Sequence, residues 1–316
     1  MKNNRRSGAF ALLWLALLAN GLAYAGSLWT FLEVFSHGPA LVAFAAFVTL
    51  FLARRWIGAA LWNSQAALCL CALGLVHAGH WAASAYSSSE TSLQAASSME
   101  SPSRKLYWCN VSHAEENRDL LVASVAKENA DLVLLAEAHA ALHTDFTGLD
   151  ERYPVRFYQA ETAIQVFSKY PVVERHVIAL SGRRSAFHFQ WQTPEGSMPM
   201  VAIHQDKPGQ PDFVPAMEAL AAWIQTRESM VVIGDLNATP WAASFRRLCH
   251  RAKLHRQPTP LGTAATWRHS SWPWLRLPID HLLWKGPWRP SRLRLGDEVR
   301  SDHLPLVAEW NSEQQP

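Results

Sequence analysis

Apolar and polar positions follow two regimes along the chain. Up to residue 85 apolar residues run almost without interruption, and the only charged side chains are Lys2, Arg5, Arg6, Glu33, Arg54 and Arg55. Beyond residue 104 the apolar runs shorten to four to eight residues and alternate with segments of helical spacing. Each regime predicts different elements.

Three stretches of the first regime, Ala9–Leu32, Pro39–Ala53 and Trp56–Ala85, read as membrane-crossing helices. About 20 apolar residues cross the hydrocarbon of a bilayer, which the first and third satisfy. In the shorter second stretch, Arg54 and Arg55 extend the reach by placing their charged ends at the interface. A soluble helix keeps a polar face, and these stretches have none. Lys and Arg sit before the first stretch and between the second and third, while Glu33–Gly38 carries neither. The positive-inside rule therefore puts the N-terminus and Arg54–Arg55 in the cytoplasm and everything after residue 85 on the extracytoplasmic side of an inner or plasma membrane. Ala23-Tyr24-Ala25 has the small-residue pattern of a signal-peptidase site, and cleavage there leaves the later residues on the same side. Composition agrees with this division. Hydrophobic residues make up 49% of the chain and charged residues 17%, against about 25% charged in an average soluble protein.

Residues 86–103 are Ser-rich and poor in large apolar side chains, the composition of a flexible tether. After it, LYWCNV, DLVLLAEA, AIQVFS, PVVERHVIAL, AFHFQW, PMVAIH, MVVIGDLN, IDHLLW and LPLVAEW are predicted strands. NRDLLVASVAKENA, VPAMEALAAWIQTR and WAASFRRLCHRA are predicted helices. Alternating strands and helices with no internal repeat predict one α/β domain over 104–316. Cys69 and Cys71 lie within the third apolar stretch, and Cys109 and Cys249 are too few and too far apart to form a disulfide framework.

Three predicted strands end in polar residues that sheet packing does not require. Glu137 follows an apolar run, Asp235 and Asn237 alternate onto one face after Gly234, and Asp302 with His303 precedes a closing strand. With Asp280 they form a set of hard oxygen donors and an imidazole suited to Mg²⁺ or Mn²⁺ and to phosphoryl chemistry. No HExxH or paired-Cys spacing suggests zinc, and neither a GxSxG nor a Walker-type phosphate loop is present.

The ordered blocks NVSH, LLAEAH, VAIHQ, GDLNATP, PIDHLL and SDHLP resemble the endonuclease/exonuclease/phosphatase superfamily, also called DNase I-like, in a bacterial, membrane-anchored form. The resemblance covers about residues 104–312. It implies a four-layer α/β sandwich, here preceded by the N-terminal transmembrane segment, and metal-dependent hydrolysis of phosphoester bonds, most naturally phosphodiesters. It also implies roles for individual residues. Glu137 is the principal metal ligand, with Asn110 and Asp302 beside it. His204 stabilises the scissile phosphate, Asp235 orients or deprotonates the attacking water, and Asn237 holds water and phosphate. Asp280 fixes the ring of His303, which stabilises the transition state. Two positions depart from the family pattern: Ala136 stands where Gln usually precedes the Glu, and His281 replaces the usual Tyr or Val.

The substrate stays open between nucleic acid and phospholipid, and the N-terminal helices imply the lipid bilayer as a partner. No protein partner is inferable. Arg246–Arg300 is rich in Lys and Arg against only Asp280, Asp297 and Glu298. Such a segment suits a polyanion or an anionic lipid surface, or is a solvated face. Trp241, Trp267, Trp272, Trp274, Trp284 and Trp288 lie in the same region and are candidates for base stacking, interfacial contact or core. Trp284 belongs to a strand, and Trp272 and Trp274 to a loop. A non-catalytic binding protein that keeps the fold is the alternative function, and the filled catalytic positions argue against it.

Overall fold

The computed structural model describes residues 104–112, 118–138, 151–257, 265–271 and 276–311. The three N-terminal apolar stretches, the Ser-rich segment, Trp272 and Trp274 lie outside these residues. Among the described residues no helix is long and apolar enough to cross a membrane.

Two six-stranded mixed sheets face each other. The first has the order β13-β14-β1-β2-β4-β3, from β1 (Arg104–Asn110), β2 (Leu132–Ala136), β3 (Val155–Gln159), β4 (Ile164–Ser168), β13 (Arg292–Leu295) and β14 (Leu306–Trp310). The second has the order β5-β6-β7-β8-β12-β9, from β5 (Val172–Ser181), β6 (Arg184–Thr193), β7 (Gly196–His204), β8 (Met230–Asp235), β9 (His255–Arg256) and β12 (Asp280–Lys285). Among the described residues only β1–β2 and β7–β8 pair in parallel. β10 (Trp267–Arg268) and β11 (Arg276–Leu277) form a separate two-stranded ribbon. The helices are α1 (Arg118–Glu128), α2 (Phe213–Gln225) and α3 (Ala243–Ala252).

Strand parity explains the layers. Leu106 and Trp108 of β1 join Leu134, Phe187, Phe189, Met200, Ile233, Leu282 and Trp284 in the core between the sheets. The alternate residues Tyr107 and Cys109 face outward onto Leu121 and Val125 of α1. On the other side, Val232 and Leu283 meet Phe213, Leu220, Phe245 and Leu248 of α2 and α3. Strands covered on both faces read as unbroken apolar runs, which is why LVLLA and MVVIG carry no alternation. The result is the expected helix–sheet–sheet–helix sandwich. Cys109 and Cys249 are free; Cys109 on β1 faces α1, and Cys249, on α3, packs on the opposite outer layer.

Candidate active site

The inner-face parity that builds the core also builds the site. On β7, Met200 and Ala202 point into the core and His204 follows on the same face. On β8, Val231 and Ile233 lead to Asp235, and on β1, Leu106 and Trp108 lead to Asn110. Asp235 is paired in register with His204 on one side and Asp280 on the other. Four polar side chains therefore cap the core at one end of the sandwich.

Parity alone would send Glu137 the other way, since Ala136 before it faces inward. A left-handed backbone at Glu137, φ 55°, turns its carboxylate back to the site. Asn237 is also left-handed, φ 47°. Asn tolerates that region better than most residues, and both positions store backbone strain where the site needs it. Gly234 is required for a different reason. A Cβ there would lie 2.0 Å from the carbonyl oxygen of Ile203 on β7.

Six of the eight sequence-predicted residues converge. Asn110 Nδ2 donates to Glu137 Oε1 (2.9 Å) and to Asp235 Oδ2 (3.2 Å), while its Oδ1 accepts from the Ser112 backbone (3.1 Å). His204 Nε2 lies 3.2 Å from Glu137 Oε1 and 3.9 Å from Asp235 Oδ2. His303 Nδ1 is 2.8 Å from Asp280 Oδ2, and its Nε2 is 3.7 Å from Asp235 Oδ2. Asn237 turns its side chain away from this centre, donating from Nδ2 to the Gln205 carbonyl (2.9 Å), and its backbone N–H donates to Asp235 Oδ1 (2.8 Å). Asp302 sits at the margin, where its Oδ2 accepts from the Trp267 indole at 3.0 Å.

Several contributors carry no sequence motif. Trp108 Nε1 donates to Asp280 Oδ1 (2.8 Å), so both carboxylate oxygens of Asp280 are held. Thr266 Oγ1 accepts from the Asp280 backbone N–H, and Ser301 Oγ accepts from that of His303 while donating to the Asn110 carbonyl. Gln205 carries Asn237 and bonds the Asp235 carbonyl through its own N–H. Only Trp108 could have been flagged in advance, because it stands two residues before Asn110 on the same strand face. Arg184 is the cation beside His204 and is paired with Asp206.

Charge states follow from burial and partners. Burial opposes ionisation of Glu137, but the Asn110 bond and the nearby His204 outweigh it and hold the carboxyl below its usual range. Burial keeps His204 neutral, only partly offset by Glu137. Burial also disfavours charge on Asp280 and His303, yet their mutual attraction wins. Asp280 titrates lower than a free carboxyl and His303 is pushed up to about 10. Asp235, fully buried beside ionised Asp280, is raised into the neutral range.

Two sets of residues bear on a metal, one grouped in space and one assigned from the sequence. The ligand atoms of Asp235, Asp280 and His303 lie within 4.8 Å of one another. Asp280, however, is fully engaged by Trp108 and His303, so this group is better suited to handling protons. Glu137, Asn110 and Asp302 offer oxygen ligands, and Asp302 Oδ1 is buried with no hydrogen-bond partner among the described residues. An orphaned buried carboxylate oxygen fits a hard cation that needs oxygen donors.

Trp284 and Trp288 are core, which removes them from the surface-contact candidates, while the half-buried Trp267 is held by Asp302. His281 donates from Nε2 to the Ala238 carbonyl (2.7 Å) and packs on Phe245, with ring centroids 4.4 Å apart.

No curated protein matches the sequence. Among solved structures, a Staphylococcus aureus beta toxin is 16% identical with TM-score 0.53, covering 66% of this chain and 100% of that one. Humanized D. rerio TDP2 carrying 14 mutations is 14% identical with TM-score 0.52, covering 66% and 98%. An endonuclease/exonuclease/phosphatase family protein from Leptotrichia buccalis C-1013-b is 11% identical with TM-score 0.51, covering 66% and 99%. At such identities these likenesses establish the fold. The model of the Endonuclease/Exonuclease/phosphatase family matches residues 107–303, well over half the chain, and the protein belongs to that family.

Proposed function

We propose that the protein is a Mg²⁺- or Mn²⁺-dependent phosphodiesterase, anchored by its N-terminal helices with the catalytic domain on the extracytoplasmic side. The observation that carries this reading is the buried His303–Asp280 pair facing Asp235, with Asn110, Glu137 and His204 converging on the same point. The metal would be held by Glu137 with Asp302 and Asn110, and when bound it supplies positive charge to the phosphoryl oxygens. Asp235, raised toward neutrality, orients the attacking water and accepts its proton. His303, cationic through Asp280, donates from Nε2 to a phosphoryl oxygen as charge develops there. Neutral His204 and the Asn110 amide position the phosphate. A non-catalytic binding protein has less support, because a desolvated ion pair such as Asp280–His303 contributes little stability in itself. The substrate is a nucleic acid or a phospholipid.

The test is turnover of bis-p-nitrophenyl phosphate, supercoiled plasmid and phospholipid vesicles by the purified chain, with Mg²⁺ or Mn²⁺ and with EDTA. Metal-dependent turnover of at least one substrate, abolished in Glu137→Ala and in His303→Ala with the fold intact, is expected. Wild-type rates in both variants would overturn the site assignment.

A further inference from the structure

The exposed face of α3 carries charge that the helix does not need. Phe245, Leu248 and Ala252 bury one side against α2 and the second sheet. Arg246 and His250, at i and i+4, line the opposite side, Arg251 follows, and Lys253 closes the helix as its left-handed C-cap, φ 55°; all four are exposed. Four residues of helical rise separate Arg246 from His250 by about 6 Å along the axis. Arg247 is paired with Glu218 at 3.8 Å, but among the described residues Arg246, Arg251 and Lys253 form no ion pair.

Helix stability accounts for part of this charge. A cation in the last turn complements the negative end of the helix dipole, which covers Arg251. It does not cover Arg246, one turn from the positive end, where the helix carries no acidic residue. A cation there is mildly unfavourable for the helix and points to something outside it.

The position of α3 says what. The helix begins six residues after Asn237, through a turn tied down by Thr239 O to Ala242 N–H (2.9 Å) and by His281 to the Ala238 carbonyl. Phe245 packs on His281, the residue next to Asp280. The ridge therefore starts beside the catalytic end of β8 and runs away from it. We infer that the Arg246–His250–Lys253 ridge is an exosite that tracks the phosphate backbone of a nucleic acid beyond the scissile bond. This rests on the phosphodiesterase reading for the bond that is cut, and it selects nucleic acid over phospholipid. Cations at the start and end of a helix that leads from a phosphodiester site complement a chain of phosphates, whereas a phospholipid offers one phosphate per molecule.

The experiment compares the wild-type chain with Arg246→Gln/Lys253→Gln, substitutions that keep helix propensity. Binding of a labelled DNA duplex is followed by fluorescence anisotropy in EDTA across a salt series. Each lost phosphate contact flattens the slope of log affinity against log salt by about 0.9, so the double variant is expected to be shallower by about 1.8. Its turnover of bis-p-nitrophenyl phosphate should equal wild type. An unchanged slope overturns the exosite. So does normal duplex binding coupled with lost association with phosphatidylserine vesicles, which would make the ridge a lipid contact. If wild type fails to turn over bis-p-nitrophenyl phosphate, the phosphodiesterase reading falls, and the anisotropy result still decides the ridge.

Discussion

Replacing Trp108 by Phe separates a catalytic support from ordinary core packing. The indole N–H donates to Asp280 Oδ1 at 2.8 Å, and both residues are buried, so no water can take its place. A hydrogen bond to a charged group contributes about 1.5–3 kcal/mol, and the smaller ring adds about 1 kcal/mol for the residual cavity. The expected loss of stability is therefore about 3 kcal/mol by chemical denaturation. Asp280 is also the partner that orients His303. If about 1.4 kcal/mol of that orientation is expressed in the transition state, kcat falls about tenfold. Tyr107→Phe is the matched control. The Tyr107 hydroxyl bonds Ser124 Oγ at 3.1 Å on the outer face of the same strand. It should lose about 1 kcal/mol and no kcat. Loss of stability in Trp108→Phe with kcat equal to wild type would show that Trp108 fills space and does not position Asp280.

Two further outcomes follow from backbone geometry and from burial. Gly234→Ala forces a Cβ against the Ile203 carbonyl at 2.0 Å, a backbone atom that cannot swing aside, so β7 and β8 must separate. Its denaturation midpoint should drop by more than that of Trp108→Phe, and a midpoint near wild type would contradict the close approach. His281 is buried and its pKa is lowered to about 4, chiefly by burial, against 6.5 in the unfolded chain. Its contribution is therefore fully present above pH 6.5 and lost as pH falls toward 4, amounting to about 3 kcal/mol. In His281→Phe, stability measured between pH 6.5 and 4 should fall with a slope smaller by about one proton, and an unchanged slope would mean that the imidazole is not buried neutral.

Much of this arrangement was legible because inward-facing strand residues continue into the site. The buried runs of β1, β7, β8 and β12 mark the inner face, and Asn110, His204, Asp235 and Asp280 are the next residues on that face. What stayed hidden has physical reasons. Glu137 was legible as a residue, but the positive φ that turns it into the site was not, because no periodicity announces it. Thr266 and Ser301 act through hydroxyls bonded to backbone groups and Gln205 through its own backbone, so no motif marks them. β3 (VRFYQ) and β13 (RLRL) were missed because both are edge strands, half exposed and carrying charge, which blurs the apolar alternation. The resemblance to the family supplied the roles. Register supplied the distances.

The direction of β1 bears on which substrate the site can reach. The strand enters at Arg104, where the guanidinium pairs with Glu195 at 2.7 Å and lies over the Tyr170 ring, and it ends at Asn110 in the site. Six strand steps at about 3.3 Å put the site about 20 Å from the point where residues 86–103 join the domain. On the proposed anchoring, the site by default faces away from the bilayer. On the flexible-tether expectation from composition, a segment of that length would have an r.m.s. span of about 23 Å, barely enough to turn the catalytic end toward its own membrane. Deleting half of residues 86–103 should therefore leave kcat/KM on a DNA duplex within about twofold, because a soluble substrate approaches from the open side. A steep loss would mean that the site works at the membrane surface and needs the tether's reach, which would reverse the preference for nucleic acid.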